Sequence, residues 1–135
     1  MMKTAYTFGA TLRLPVHEAR PLVEVALQAE GFGVLTEIDV AATLRAKLGV
    51  ESSPYLILGA CNPSLAHRAL EADPSIGALL PCNVVLRDAG ASTTIVEAMD
   101  PRAVRGLVAN PAVEAVAVEV EERLRRVIGS LAAGR

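Results

Sequence analysis

The sequence lacks tryptophan and has only two tyrosines and two phenylalanines among its 135 residues. It also has no excess of cations, since 13 lysines and arginines stand against 15 acidic residues. Proteins that bind nucleic acid usually carry a basic patch, and those that bind single strands add stacking aromatic side chains. These absences exclude an obvious nucleic-acid-binding surface.

Cysteines and long apolar runs are also scarce. Two cysteines do not form the disulfide framework of a small secreted domain. No stretch reaches the roughly 18 uninterrupted apolar residues of a membrane-spanning helix, and the first seven residues lack the apolar core of a signal peptide. We therefore expect a cytoplasmic protein with reduced thiols.

Hydrophobic residues are plentiful, at 52% of the chain, and the net charge is only −2. A 14.1 kDa chain of this kind can bury about two thirds of its surface in one core, so we expect a single domain over residues 1–135. Arginine outnumbers lysine 11 to 2, and glutamine occurs once. This bias fits a thermophilic source, although a GC-rich genome explains it equally well.

The hydrophobic pattern predicts the order β-α-β-α-β-α-β-β-α-α. It favours a two-layer α+β domain with a mostly antiparallel five-stranded sheet and helices on one face, and an α/β arrangement is the alternative. The predicted strands are residues 3–14, 34–38, 55–61, 79–87 and 92–98. The predicted helices are residues 15–31, a short one from Asp39 to Gly49, one from Pro63, one over 100–109 and a last one from Pro111.

Each cysteine is followed by asparagine, as Cys61-Asn62 and Cys82-Asn83. Cys61 ends one predicted strand and Cys82 begins the next, so antiparallel pairing would bring both thiols to one edge of the sheet. A helix beginning at Pro63 would direct N–H groups there, which favours a thiolate or a bound anion. Thiolates also bind soft metal ions. Alternatively, both cysteines are small core residues and Asn62 is only a helix cap.

Glu37 and Asp39 lie two positions apart at the end of a predicted strand, so they share one face. Paired carboxylates can perform acid–base chemistry or bind a hard cation, although Asp39 could simply cap a helix. His67 could join Cys61 and Cys82 at zinc, but this spacing matches no known zinc motif. Phosphate-binding loops, nucleophile elbows and redox C-x-x-C motifs are absent from the sequence.

One face of the predicted sheet has no helix to cover it. The central strand, residues 55–61, is apolar on both faces, so apolar side chains would meet water there. Exposed apolar surface usually marks an interface, and a two-fold dimer is its commonest form. We therefore expect a homodimer.

Three stretches resemble the motifs of the domain-of-unknown-function family 302 of bacteria and archaea. They are residues 31–40, residues 58–63 with Ala66, Ala69 and Leu70, and residues 73–77 followed by 80–85. The resemblance covers nearly the whole chain and implies a two-layer α+β fold similar to that of the TATA-binding protein, with no established activity. The family's motif positions correspond to Glu37, Asp39, Cys61, Asn62, Cys82 and Asn83.

Three functions therefore compete. The first is a non-catalytic homodimer that binds a small ligand or a soft metal ion at the Cys-Asn edge, with Glu37 nearby and with Cys61 and Cys82 as candidate metal ligands. The second is a structural or protein-interaction domain with inert, buried thiols. The third is a thiol-dependent enzyme or sulfur carrier that uses Cys61 as its nucleophile.

Overall fold

A computed structural model describes residues 1–134 as one antiparallel sheet with helices packed on one face, which confirms the predicted two-layer α+β class. The strands are β1 (Met2–Lys3), β2 (Thr7–Leu12), β3 (Gly33–Asp39), β4 (Tyr55–Cys61), β5 (Cys82–Gly90) and β6 (Thr93–Met99). The helices are α1 (Val16–Ala29), α2 (Val40–Leu48), α3 (Pro63–Ala72), α4 (Arg102–Arg105) and α5 (Pro111–Ala133), with a 3-10 helix at Pro74–Leu79.

The strands lie in the order β1-β2-β6-β5-β4-β3, and each neighbouring pair is antiparallel. The α/β alternative is therefore wrong, and the sheet has six strands rather than five because the two-residue β1 pairs with β2. A β-bulge at Leu35 interrupts the pairing of β3 with β4. Strand β3 forms one edge of the sheet.

Local boundaries differ from the predictions where turns decide them. The predicted strand over residues 79–87 begins only at Cys82, because residues 74–79 form the 3-10 helix and a cis Leu80–Pro81 bond follows. The hairpin turn lies at Ala91 and Ser92, which both adopt positive φ, rather than beginning at Asp88. The two positive φ angles match the twist of the flanking strands. The helix predicted over 100–109 is only the four-residue α4.

The core lies between the sheet and the long helices α1 and α5. Helix α5 begins at Pro111 behind the capping side chain of Asn110, as predicted. Its inward stripe includes the fully buried Leu124. At the edge of this core the buried carboxylate of Asp100 receives hydrogen bonds from Arg102. No helix within residues 1–134 has the length and apolarity needed to span a bilayer.

The opposite face of the sheet is of mixed polarity. Half-buried apolar residues such as Val85 alternate with a polar network in which Arg87 pairs with Glu97 at 2.9 Å and Thr7 donates a hydrogen bond to the same carboxylate. The Glu97 side chain lies close over Gly9, where a Cβ atom would approach Glu97 to 3.0 Å and the Val96 carbonyl oxygen to 2.1 Å. Glycine is therefore required at that position.

Candidate cysteine site

The two cysteines lie at the same end of adjacent central strands. Cys61 is the last residue of β4 and Cys82 the first of β5, and the register pairs Cys82 with Ala60. Cys61 therefore lies one position further along β4 than Ala60, the residue directly opposite Cys82. Both are free thiols; Cys82 is buried with Ala60 against the helices, and Cys61 is half-buried.

The Cys82 thiol is unreactive at neutral pH. Burial, and to a smaller extent the charge of a nearby ionised Cys61, raise its pKa to about 11. At neutral pH, Cys82 is therefore a neutral thiol, which is a weak hydrogen-bond donor and a poor nucleophile.

A small cavity, called here the cysteine cavity, adjoins both residues. Its volume is about 40 Å³, and its surface is almost entirely apolar. The walls come from the end of the sheet, from α3 and from α5. They include Phe32, Ala60, Cys61, Asn62, Leu65, Ala66, Leu80, Cys82, Val116 and Val120.

A second apolar cavity of about 60 Å³ also adjoins Cys82. It is formed between the 3-10 helix, the end of β6 and α5, and its walls include Ile76, Leu79 and Met99. The two cavities share part of their lining, namely Ala69, Leu80, Cys82, Val116 and Val120. They are therefore neighbours, and Cys82 contributes to the walls of both.

Asn62 serves as a structural cap. Its Oδ1 accepts a hydrogen bond from the Leu65 backbone N–H at 3.3 Å, and its Nδ2 donates to the Glu30 carbonyl oxygen at 3.5 Å. Arg123 donates to that same oxygen at 3.0 Å. The alternative reading of Asn62 as a helix cap is thus what the structure shows, and its side chain joins the end of α1 to the start of α3.

Asn83 lies on the other face of the sheet. It pairs with Gly59 across β4 and is exposed, whereas its neighbour Cys82 faces the helices. Strand alternation turns successive side chains to opposite faces. The structure therefore does not bring Asn83 to the cysteine cavity, and its exposed position leaves its amide no need of a buried partner.

The carboxylates also lie elsewhere. Glu37 and Asp39 pair with Leu58 and Leu56, so Asp39 lies five positions, or about 17 Å, back along β4 from Cys61. The cause is antiparallel order, in which the end of β3 meets the start of β4. The prediction that Glu37 lies near the cysteine edge is wrong.

Both carboxylates line a separate groove between α1 and α2 with a volume of about 520 Å³. Each has a partner within the chain. Asp39 caps α2 by accepting a hydrogen bond from the Ala42 N–H at 2.9 Å, and Glu37 pairs with Arg20 at 2.8 Å. The six residues selected from the sequence therefore fall into three places: the cavity, the far face of the sheet and this groove.

A three-ligand metal centre does not form in residues 1–134, where no three His, Cys, Asp or Glu side chains cluster suitably. His67 is exposed and lies 3.7 Å from Glu71 rather than beside the cysteines. Sequence reasoning missed the walls supplied by the 3-10 helix and by Met99. The apolar stripe of α5 was visible in the sequence, but its contact with Cys82 depends on tertiary packing.

Comparison with known proteins places the chain among uncharacterised relatives. Residues 8–131 match the family described as Domain of unknown function DUF302. The crystal structure of an uncharacterized conserved DUF302 protein from Bacillus stearothermophilus is 30% identical, with a TM-score of 0.84 over 93% of this chain and 98% of that one. No curated protein matches the sequence.

Proposed function

Because the chain belongs to the DUF302 family, whose description assigns no activity, we propose a function from its own geometry: a non-catalytic domain that binds a small neutral ligand beside Cys82. The observation that carries this proposal is the pair of neighbouring apolar cavities that share Cys82 in their walls. Ligand sites are typically apolar hollows with few polar groups.

The lining and volume define the ligand class. Hydrocarbon walls favour an apolar group, and the neutral thiol of Cys82 can donate one weak hydrogen bond. Cavities of about 40 and 60 Å³ are smaller than the roughly 150 Å³ hollow that accommodates a benzene ring. The ligand is therefore a short aliphatic molecule, or a larger one that inserts a short aliphatic end.

A series of n-alcohols from two to six carbons tests this proposal by NMR chemical-shift titration. Each buried methylene contributes about 0.8 kcal/mol, so affinity should rise about fourfold per added carbon until the cavities are full. The resonances of Cys82 and Ala69 should shift most. Affinity that does not depend on chain length would contradict the proposal.

Two filling variants locate the binding. Ala66→Leu should reduce alcohol affinity by occupying the cysteine cavity, and Ala117→Leu should do so from the second cavity. Ala103→Leu on the exposed side of α4 is the matched control and should bind as the original chain does. Equal binding by all three variants would overturn the assignment to these cavities.

A soft metal ion is the second candidate, favoured by the position of both cysteines at one end of adjacent strands and by the cavity that both line. Cu(I) accepts thiolate ligands, but binding must remove the proton from Cys82, whose pKa is about 11, so affinity should increase with pH. Equilibrium dialysis with Zn²⁺ and Cu⁺ separates the two candidates. One ion retained per chain, and lost in both Cys61→Ser and Cys82→Ser, would establish the metal-binding function instead.

A reducing cytoplasmic setting and a homodimeric state belong to this proposal. Both cysteines are free, which suits a reducing compartment. A homodimer needs a pairing surface, and its place on the molecule is a separate question.

A further inference from the structure

One part of the chain is held by strand pairing and surface contacts, with no buried side chain of its own. Residues 35–54, called here the flank, include most of β3, all of α2 and the loop that leads to β4, and none of these 20 residues is buried. Four of its large apolar side chains are exposed. They are Leu35 at 66%, Ile38 at 50%, Leu48 at 70% and Val50 at 46%.

Helix α2 shows why this matters. It has nine residues, whereas isolated helices shorter than about 12 residues are marginal in water, and most helical stability in proteins comes from packing. Asp39 caps its start and Gly49, with positive φ, ends it. These caps define the helix, but no side chain of α2 is buried. Packing from outside the chain would supply the missing stabilisation.

We propose that the flank is the surface through which two copies of this chain pair about a two-fold axis. The flank is large enough to supply most of one side of such a surface, because a stable interface takes roughly 20 to 30 contacting residues from each partner and none of the flank's 20 residues is buried. This inference rests on the proposed homodimer and is independent of the ligand site.

The charges of the flank favour a second copy over a different partner. Asp39 lies at the start of α2 and Lys47 in its last turn, whereas Glu37 and Arg45 are already paired within the chain, with Arg20 at 2.8 Å and with Glu51 at 3.8 Å. An antiparallel arrangement of two α2 helices brings Lys47 of each copy to the acidic end of the other. A different protein whose surface carried charge of a single sign would complement only one end of α2.

Two other features decide how the copies meet. The bulge at Leu35 interrupts the regular pairing of the edge strand β3, which disfavours a continuous sheet across the dimer, so the contact is made by side chains of α2 and β3. The uncovered sheet face is the weaker surface, because the Arg87–Glu97 pair and several threonines interrupt its apolar residues.

Light scattering coupled to gel filtration tests the inference. The original chain should elute as a dimer of about 28 kDa, twice its 14.1 kDa mass. Leu48→Asp should elute as a folded monomer, whereas the matched control Leu107→Asp, equally exposed but outside the flank, should stay dimeric. Lys47→Glu should weaken dimerisation by about tenfold or more, since like charges would then face each other.

A monomeric original chain would overturn the inference, and so would a Leu48→Asp variant that remains dimeric. The n-alcohol titration on Leu48→Asp keeps the two proposals apart, because the cavities lie outside the flank and should bind alcohols unchanged. If Leu48→Asp is monomeric and still binds alcohols, the proposal about the ligand is unaffected. If the original chain is a dimer and binds no alcohol, only the proposal about the ligand is refuted.

Discussion

Helices α2 and α3 begin with the same kind of side-chain cap but differ in how much of their surface packs against the rest of the chain. Asp39 and Asn62 both cap a helix by accepting a hydrogen bond from a backbone N–H three residues later. Behind Asn62, α3 buries Leu65 and Ala69 against α5, whereas α2 buries no side chain. A cap therefore fixes where a helix starts, and tertiary packing fixes how stable it is.

The largest contrast is expected between core and flank leucines. Leu124→Ala removes a fully buried side chain on the inward face of α5 and should lower the free energy of unfolding by about 2–5 kcal/mol. Leu48→Ala should change it by less than about 0.5 kcal/mol, measured by urea denaturation at concentrations that keep the chain monomeric. Similar losses in both variants would mean that the flank is packed in the monomer.

Ion pairs should show the same contrast at a smaller scale. Asp100 is nearly fully buried; burial alone would raise the pKa of its carboxyl, but hydrogen bonds and charge from Arg102, aided by Arg125, lower it below the ordinary value. Asp100→Asn should therefore cost about 2 kcal/mol at pH 7. Glu37→Gln, which breaks an exposed pair with Arg20, should cost less than about 1 kcal/mol.

The pH dependence of Asp100 has a definite sign. Because its folded-state pKa is depressed, its contribution is complete above the unfolded value of about 3.9 and is lost as pH falls through the folded value. Thermal denaturation from pH 7 to pH 2 should show the original chain approaching Asp100→Asn at the acid end. A constant difference across that range would exclude this linkage.

The caps should give the smallest effects and the clearest local difference. Asn62→Ala should lower the free energy of unfolding by about 1 kcal/mol, because α3 unfolds together with the core. Asp39→Ala should accelerate hydrogen exchange in α2 and leave global unfolding nearly unchanged, since α2 opens by itself. Hydrogen-exchange mass spectrometry measures both; equal exchange rates in α2 and α3 of the original chain would remove the distinction.

Local patterns in the sequence were enough for the order of elements, and non-local contacts were needed for the rest. Asn110-Pro111 and the apolar stripe after it predicted α5, because capping and helical spacing are local properties. The 3-10 helix at Pro74–Leu79 was not predicted, because six residues are too few to show a helical period and an Asp-Pro start is equally typical of a turn.

The candidate site was predictable only in part for the same reason. Antiparallel order sufficed to bring Cys61 and Cys82 together. That order equally separates Glu37 from Cys61, which only the assembled register made plain. The hollows beside Cys82 depend on how α5 and the 3-10 helix fill the space between them, and no short motif encodes that fit.

The hydrogen bonds to the carbonyl oxygen of Glu30 bear on how a ligand could reach the cavities beside Cys82. It receives the Arg123 guanidinium and the Asn62 amide, so α1, α3 and α5 are tied together at one point beside Phe32. The second cavity is walled instead by Ile76 and Leu79 of the short 3-10 helix. If the proposed ligand binds, we expect it to approach Cys82 from the side of that 3-10 helix rather than between the three tied helices.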